Sequence, residues 1–496
     1  MSDSQVDQPA TGAPPDSAEA VAAELQRQPH ILFKLAENTL TVANSLRDNY
    51  FKNTAKLVSD VRKAIREPRA EPILTTDDVS ETCWADYQDE VVSFIDGGVG
   101  RVQISSQVPI LLRVGSYTVK VGERQMAERE KFGYYPVVLG DLQGGSKDRK
   151  DFIDIVRITA ELLGGLAALR RDPHLRVLMF HGPLVYLVWR YSGHTPFTES
   201  DIDLFLHQYT GGDGGSLKEE FLTQARVTIY PEMVPERADE WARRRVFEPL
   251  AWIAFLYRKL LETARQRTPV PIIAGVVERG ELQEFSERIL LARVFRGLRG
   301  KGNADHFNKL YGRTDLTSPR ALLQRLNYTD GLLLAMILKP GHRSEAWGVG
   351  KYEGFRTTKV SLPGEAFETD VNFAALRGTP FGFPAVTGCY LHVSETTEPI
   401  RIEVFSELGT DQVDAAARRA YLYSRLLPNY CFPVGLDIVD KYAHVPAWMT
   451  SAYSKLIRFH LGVSLQQGKI TDDEMRRLLV QAIYMAQRDW IFRPKA

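Results

Sequence analysis

The chain has 496 residues, 44% of them hydrophobic and 25% charged, which is the composition of an ordinary globular protein and mass enough for two to four domains, or for one large domain with insertions. Lys plus Arg equals Asp plus Glu at 62 each, so no global basic field exists and any polyanion must be met by a local patch. Cys83, Cys389 and Cys431 are far apart and odd in number, which excludes a disulfide framework and a paired-cysteine zinc site and leads us to expect a reducing, cytoplasmic setting.

Residues 1–20 are rich in Ser, Asp, Pro and Ala and cannot bury enough apolar surface to offset ordering entropy, so a disordered tail is expected. The start Met-Ser-Asp-Ser-Gln lacks a basic region followed by an apolar one, and no apolar run reaches the roughly 18 residues of a bilayer span; neither secretion nor membrane insertion is expected. From Val21 to Arg66, apolar residues including Leu25, Leu35, Leu46, Leu57, Val61 and Ile65 recur at helical spacing, predicting two or three helices in an N-terminal segment over 21–85.

Strand patterns begin near Glu90 and continue over Arg101–Ser105 and Pro109–Val121, with turn signals at Gly97-Gly98 and Gly115-Ser116; they predict an antiparallel meander. A short strand is expected at Tyr134–Leu139, a helix at Phe152–Arg171 with an apolar stripe of Ile155, Ile158, Leu162 and Leu166, and a buried strand at Leu175–Phe180. This alternation is that of a mixed α/β sheet. Residues 191–268 break it and are expected to be a helical insertion. The sheet resumes at Val270–Val277, with helices at Leu282–Leu298 and Asn327–Leu338, strands at Gly388–Val393 and Pro399–Phe405, and helices from Asp411 onward. In the last strand, alternation puts Ile400, Ile402 and Val404 on one face and Arg401, Glu403 and Phe405 on the other.

Within this frame the most informative stretch is Asp89–Gly98. Val91, Val92, Phe94 and Ile95 predict a strand buried on both faces, delivering Asp96 at its end into a Gly-Gly turn. A charged group there needs a partner. An ordinary hairpin turn is the alternative, since Asp-Gly is a common hairpin signal.

Several segments taken together resemble the NurA nucleases. Ser93-Phe-Ile-Asp-Gly-Gly98 is similar to the family's opening Asp-Gly-Ser motif, with Gly98 in place of serine. Glu161 stands where the family carries a helix glutamate. Val177–Leu184 resembles its second Asp-Gly motif, with His181 at the aspartate position, and Pro271–Arg279 its next core strand, with Glu278 beside Arg279 where members often have lysine. Tyr328–Leu338 with Pro340-Gly341, Pro399–Val404 and Phe432–Asp440 are similar to the remaining signatures; Phe432 replaces a tyrosine, and Asp440 stands at a late His or Asp.

The resemblance implies an RNase H-like mixed sheet flanked by helices over 86–460, with 461–496 a C-terminal helical extension. It further implies a homodimer and a Mn²⁺-dependent deoxyribonuclease, with 5′-3′ exonuclease and single-strand endonuclease activity. This nuclease would act beside a HerA-type hexameric ATPase in DNA end resection or in defence against invading DNA. By resemblance the metal ligands are Asp96, Glu161, His181 and Asp440, with Arg279, Glu403 and Phe432 toward the substrate. Such hydrolysis uses divalent ions about 3.5 to 4 Å apart; oxygen donors suit Mg²⁺ or Mn²⁺, and one imidazole tilts preference toward Mn²⁺. The alternative function is a catalytically silent adaptor that keeps the fold and binds the ATPase, the imidazole of His181 having removed a negative charge from the site.

Residue by residue, other roles stay open: a solvated helix face for Glu161, a hydrogen-bonded core histidine for His181, a surface helix position for Asp440, and plain cross-strand pairing for Arg401. Gly211–Gly215 is not a phosphate loop, because no Gly-Lys-Ser/Thr follows. Asp201 and Asp203 resemble a two-carboxylate nucleotidyltransferase strand, but no Gly-Ser element lies upstream. The basic run Arg293, Arg296, Arg299 and Lys301 could touch a phosphate backbone, although a solvated face is the commoner reason for such a run.

Overall fold

The computed structural model describes residues 29–101, 110–125, 130–139, 146–185, 197–207, 214–224, 246–247, 249–295, 318–350, 382–409, 411–468 and 470–484, with the isolated positions 22, 26 and 209. The expected tail, the glycine loop 211–213 and Arg296, Arg299 and Lys301 lie outside these residues.

The N-terminal segment is one run of helix, α1 (Pro29–Ser45) and α2 (Lys52–Arg66), joined by a π-helical turn. α2 puts Leu57, Val58, Val61 and Ala64 into the main core, whereas α1 leaves Phe33, Leu40 and Val42 exposed. There follow β1 (Thr76–Asp78), β2 (Val91–Arg101), β3 (Ile110–Lys120), β4 (Glu130–Leu139), α3 (Ser146–Arg171) and β5 (Leu175–His181). Next come β6 (Phe197–Thr198), α4 (Glu199–His207), α5 (Gly214–Gln224), β7 (Val246–Phe247), α6 (Pro249–Arg265) and β8 (Ile272–Val277). After β8 a π-helical stretch (Ser286–Leu291) runs into a short helical end (Ala292–Val294), and then come α7 (Pro319–Leu326), α8 (Asp330–Ala335), β9 (His342–Ser344), β10 (Trp347–Val349), β11 (Val386–His392), β12 (Ile400–Phe405), α9 (Gln412–Ser424), α10 (Val434–Ala443), α11 (Ala447–Gln466) and α12 (Asp473–Tyr484).

One mixed sheet organises the molecule, in the order β1-β9-β11-β12-β8-β5-β2-β3-β4 with β10 on β11. β2, β5 and β8 are parallel; every other pairing in it is antiparallel. Parallel strands need covered faces, and both faces are covered: α3 and α6 lie over one, α9 and α10 over the other. The expected alternation of β12 holds, since Ile400, Ile402 and Val404 join the α9/α10 side and Phe405 the α3/α6 side. Among the described residues no helix is long and apolar enough to cross a membrane.

Two local expectations need correction. Gly97-Gly98 and Gly115-Ser116 are not turns: β2 runs straight through Gly98, which pairs with Arg113, and Gly115 pairs with Asp96. Asp96 therefore sits inside a strand rather than at its end. The glycines serve a helix that passes close by. A Cβ on Gly98 would lie 2.1 Å from the Ala443 carbonyl oxygen and one on Gly115 2.8 Å from Val439, so α10 can press onto β2 and β3 only because those positions carry no side chain. Asp201 and Asp203 lie on helix α4 rather than a strand, which agrees with setting the nucleotidyltransferase likeness aside. The predicted helix 327–338 is shorter, Thr329 capping α8 by accepting the Leu332 N–H at 3.2 Å. Within the range 191–268, α6 packs on α3 as part of the main core and forms the last element of the crossover from β5 to β8.

Candidate metal centre

The parallel strands β2, β5 and β8 run in one direction, and a site assembles where β5 ends at His181, beside Asp96 midway along β2. Asp96 on β2 is 6% exposed. Ile95 pairs with Phe180 in register, so the next residue along each strand, Asp96 and His181, come side by side: Asp96 Oδ2 lies 3.1 Å from His181 Nδ1. The other oxygen, Oδ1, accepts the Gly97 N–H at 2.8 Å. Phe432 is buried against the His181 ring with centroids 5.3 Å apart. Asp440 arrives from α10, laid across the glycines. One ligand atom from each of Asp96, His181 and Asp440 falls within a common span of 4.8 Å.

The electrostatics follow from crowding charge at a half-buried edge. Burial and the hydrogen-bonded Asp96 carboxylate both push Asp440 above the ordinary aspartate range. Burial alone would depress His181, but the hydrogen bond and charge of Asp96, with Asp440 and Glu161 behind them, hold it above its ordinary value. Two carboxylates this close require a proton or a cation between them, and two oxygens with one imidazole nitrogen form a donor set that a divalent ion of intermediate hardness fits.

Glu161 stands just outside this trio. It projects from α3 on the opposite face of the sheet, over Gly97, where a Cβ would be 2.7 Å from its Oε1. It is 3% exposed, so it is no solvated-face residue, and Arg157 Nη1 donates to its Oε1 at 2.8 Å. Burial raises its pKa to about 7, the Arg157 charge opposing and the Asp96 charge adding. Arg157 escaped the sequence reading, though its i,i+4 spacing from Glu161 on a helix is a recognisable ion-pair signal.

Of the three residues expected toward substrate, Arg279 is the outermost, largely exposed just beyond the C-terminal end of β8 and 4.0 Å from Glu278. Phe432 touches His181, as above. Glu403 is 1% exposed inside the sheet and paired with the equally buried Arg401. Arg293 is not a free cation for phosphate, since it holds Glu345 at 2.6 Å.

The model of the NurA domain family matches residues 90–445. No curated relative matches the sequence. Among solved structures, the NurA nuclease from Sulfolobus solfataricus is similar at 13% identity over 88% of this chain and 98% of its own, with a TM-score of 0.43. A NurA with manganese is similar at 11% identity over 81% and 96%, with a TM-score of 0.33. A third, NurA bound to dAMP and manganese, shares 12% identity over 86% and 94%, with a TM-score of 0.34. The family match takes in Asp96, Glu161, His181, Arg279, Glu403, Phe432 and Asp440 alike, and the chain belongs to the NurA domain family.

Proposed function

We propose that this chain is a Mn²⁺-dependent deoxyribonuclease in which Asp96, His181 and Asp440 hold the metal. The observation that carries the reading is the convergence of those three residues, from β2, β5 and α10, within 4.8 Å. The strand order β4-β3-β2-β5-β8, with β3 antiparallel to β2, supports an RNase H-like core. The manganese held by related NurA structures supports the choice of ion, with Mg²⁺ the second candidate.

A bound divalent ion would supply charge stabilisation for the scissile phosphate and a water acidified toward neutrality. Asp96, fixed on one oxygen by the Gly97 N–H, presents the other toward His181. The imidazole is aimed by Phe432 on one side and Asp96 on the other. Glu161, its Oε1 tied to Arg157, is a carboxyl that exchanges a proton near neutral pH. Arg279 offers a positive group beyond the edge where a phosphate backbone would pass.

We extend the proposal to 5′-3′ exonuclease and single-strand endonuclease activity by a homodimer beside a HerA-type hexameric ATPase, in end resection or defence, within the cytoplasm. The second reading, a silent adaptor on the same ATPase, is favoured by one observation: His181 replaces the family's aspartate.

The test is cleavage of single-stranded and duplex DNA with Mn²⁺ or Mg²⁺, with and without such an ATPase, by wild type and Asp96→Asn. Cutting by wild type that Asp96→Asn abolishes is expected. Undiminished cutting by Asp96→Asn overturns the site; no cutting under any condition, alongside ATPase binding, selects the adaptor.

A further inference from the structure

We propose that Glu403, with Arg401, is a positioning residue for His181: it fixes the turn that carries the imidazole without touching substrate or metal. The proposal rests on the reading of His181 as a ligand.

His181 is the last residue of β5. The chain then folds back sharply, Gly182 taking φ 102, so the turn supplies no ladder partner for its own backbone groups. Three of those groups are met from elsewhere. Gly182 N–H donates to the Val276 carbonyl at 2.8 Å, and the Tyr257 hydroxyl donates to the Leu184 carbonyl at 3.0 Å. The Leu184 N–H donates to Glu403 Oε2 at 2.8 Å, a charge-assisted bond stronger than a neutral one.

Glu403 reaches that amide from two strands away because the strand between them has a gap. Glu403 and Phe180 both pair in register with Gly275. A Cβ at Gly275 would lie 2.6 Å from the Leu184 nitrogen and 2.8 Å from the Gly182 oxygen, so the turn rests on the bare backbone of β8. The other Glu403 oxygen accepts from Arg401 Nε at 2.7 Å. Arg401 in turn lies under the next turn of the same edge, its Nη1 only 2.8 Å from where a Gly280 Cβ would stand. One ion pair on β12 thus braces the turn that follows His181 and lies beneath the turn that carries Arg279.

Stability alone is a poor reason to bury such a pair, since well-packed apolar residues of similar volume are commonly as stable or more so. What apolar residues cannot do is accept the Leu184 N–H.

The discriminating variants are Arg401→Met/Glu403→Leu, which removes both charges and the acceptor, and Arg401→Met/Glu403→Gln, which removes both charges and keeps a carbonyl acceptor. Three quantities are measured: the melting temperature, deuterium exchange of the peptide spanning 181–185, and Mn²⁺ affinity by calorimetry. The first variant is expected to melt close to wild type, yet to exchange through 181–185 about tenfold faster and bind Mn²⁺ about tenfold more weakly, in the range for outer-shell changes around a metal. The second is expected to recover part of the protection. Unaltered exchange and affinity in the first variant, or equal loss in both variants, would overturn the proposal. Wild-type protein that binds no Mn²⁺ refutes the metal reading instead, and the exchange comparison still decides the role of Glu403.

Discussion

A single glycine shows how far a residue's role can lie from its local signal. Gly98 follows Asp96-Gly97 in what reads as a hairpin turn, yet it sits mid-strand beneath the Ala443 carbonyl, 2.1 Å from any Cβ it might bear. Restoring the family's serine is therefore unfavourable in this chain. Gly98→Ser should displace the C-terminal end of α10 and cost about 1–3 kcal/mol, as overpacking does, seen as a lowered urea midpoint with Mn²⁺ affinity falling alongside because Asp440 moves with the helix. His181 gives the opposite kind of test. His181→Asp makes the donor set all oxygen, so Mg²⁺ binding should strengthen relative to Mn²⁺ by about tenfold; a Mg²⁺/Mn²⁺ preference equal to wild type in competition titrations speaks against His181 as a ligand. At this scale Asp96, His181 and Asp440, which the structure brings together, and Glu161, which it sets apart from them, all stand out in the sequence because the order of their motifs resembles the family's. The glycines were misread, because the reason for them lies on α10, remote in sequence, and not in the neighbouring residues.

Among the elements, the connection after β8 depends on two buried acids. Glu284 accepts the Gly350 N–H on both oxygens, at 3.1 and 2.9 Å. Asp330 at the start of α8 accepts the Phe285 and Ser286 N–H groups, at 3.1 and 2.7 Å, and the Tyr390 hydroxyl at 3.0 Å. Burial, against these hydrogen bonds, raises Glu284 from 4.5 to about 7 and Asp330 from 3.8 to about 6. Acids held above their ordinary values favour the fold most at low pH. Their contribution is full below the unfolded pKa and is lost as pH rises through the folded one. For Glu284 that window runs from 4.5 to about 7, and the loss is on the order of 3 kcal/mol. Glu284→Gln should flatten the fall in unfolding free energy across this window, measured by urea denaturation at each pH; an unchanged slope contradicts it. Local periodicity revealed most of these helices and strands. It gave the right faces of β12, but it could not show that Asp330, Glu284 and Glu403 are anchors for backbone amides, since each amide lies in a segment far away in sequence.

Across the whole molecule, the segments outside the family match differ in how they are built in. α2 lies before residue 90 yet buries Leu57, Val58 and Val61 in the main core. No described side chain of α12 is buried. Leu57→Ala should therefore cost about 2–5 kcal/mol of unfolding free energy, whereas ending the chain at Gly468 should change it by no more than about 0.5 kcal/mol; chemical denaturation of the two variants checks both. The sheet order was not legible in advance, because β5, β8 and β12 are brought together by pairings that span long stretches of chain and no residue-scale pattern encodes. What the order achieves is specific: it sets Asp96 and His181 side by side on parallel strands and leaves a glycine track for the helix that brings Asp440. The most direct measurement of that assembly is Mn²⁺ titration calorimetry on wild type, Asp96→Asn and Asp440→Asn. Three converging ligands predict saturable binding by wild type that weakens more than about a hundredfold in each variant, beyond the 10–100-fold of outer-shell changes; equal affinity in all three proteins would contradict the site.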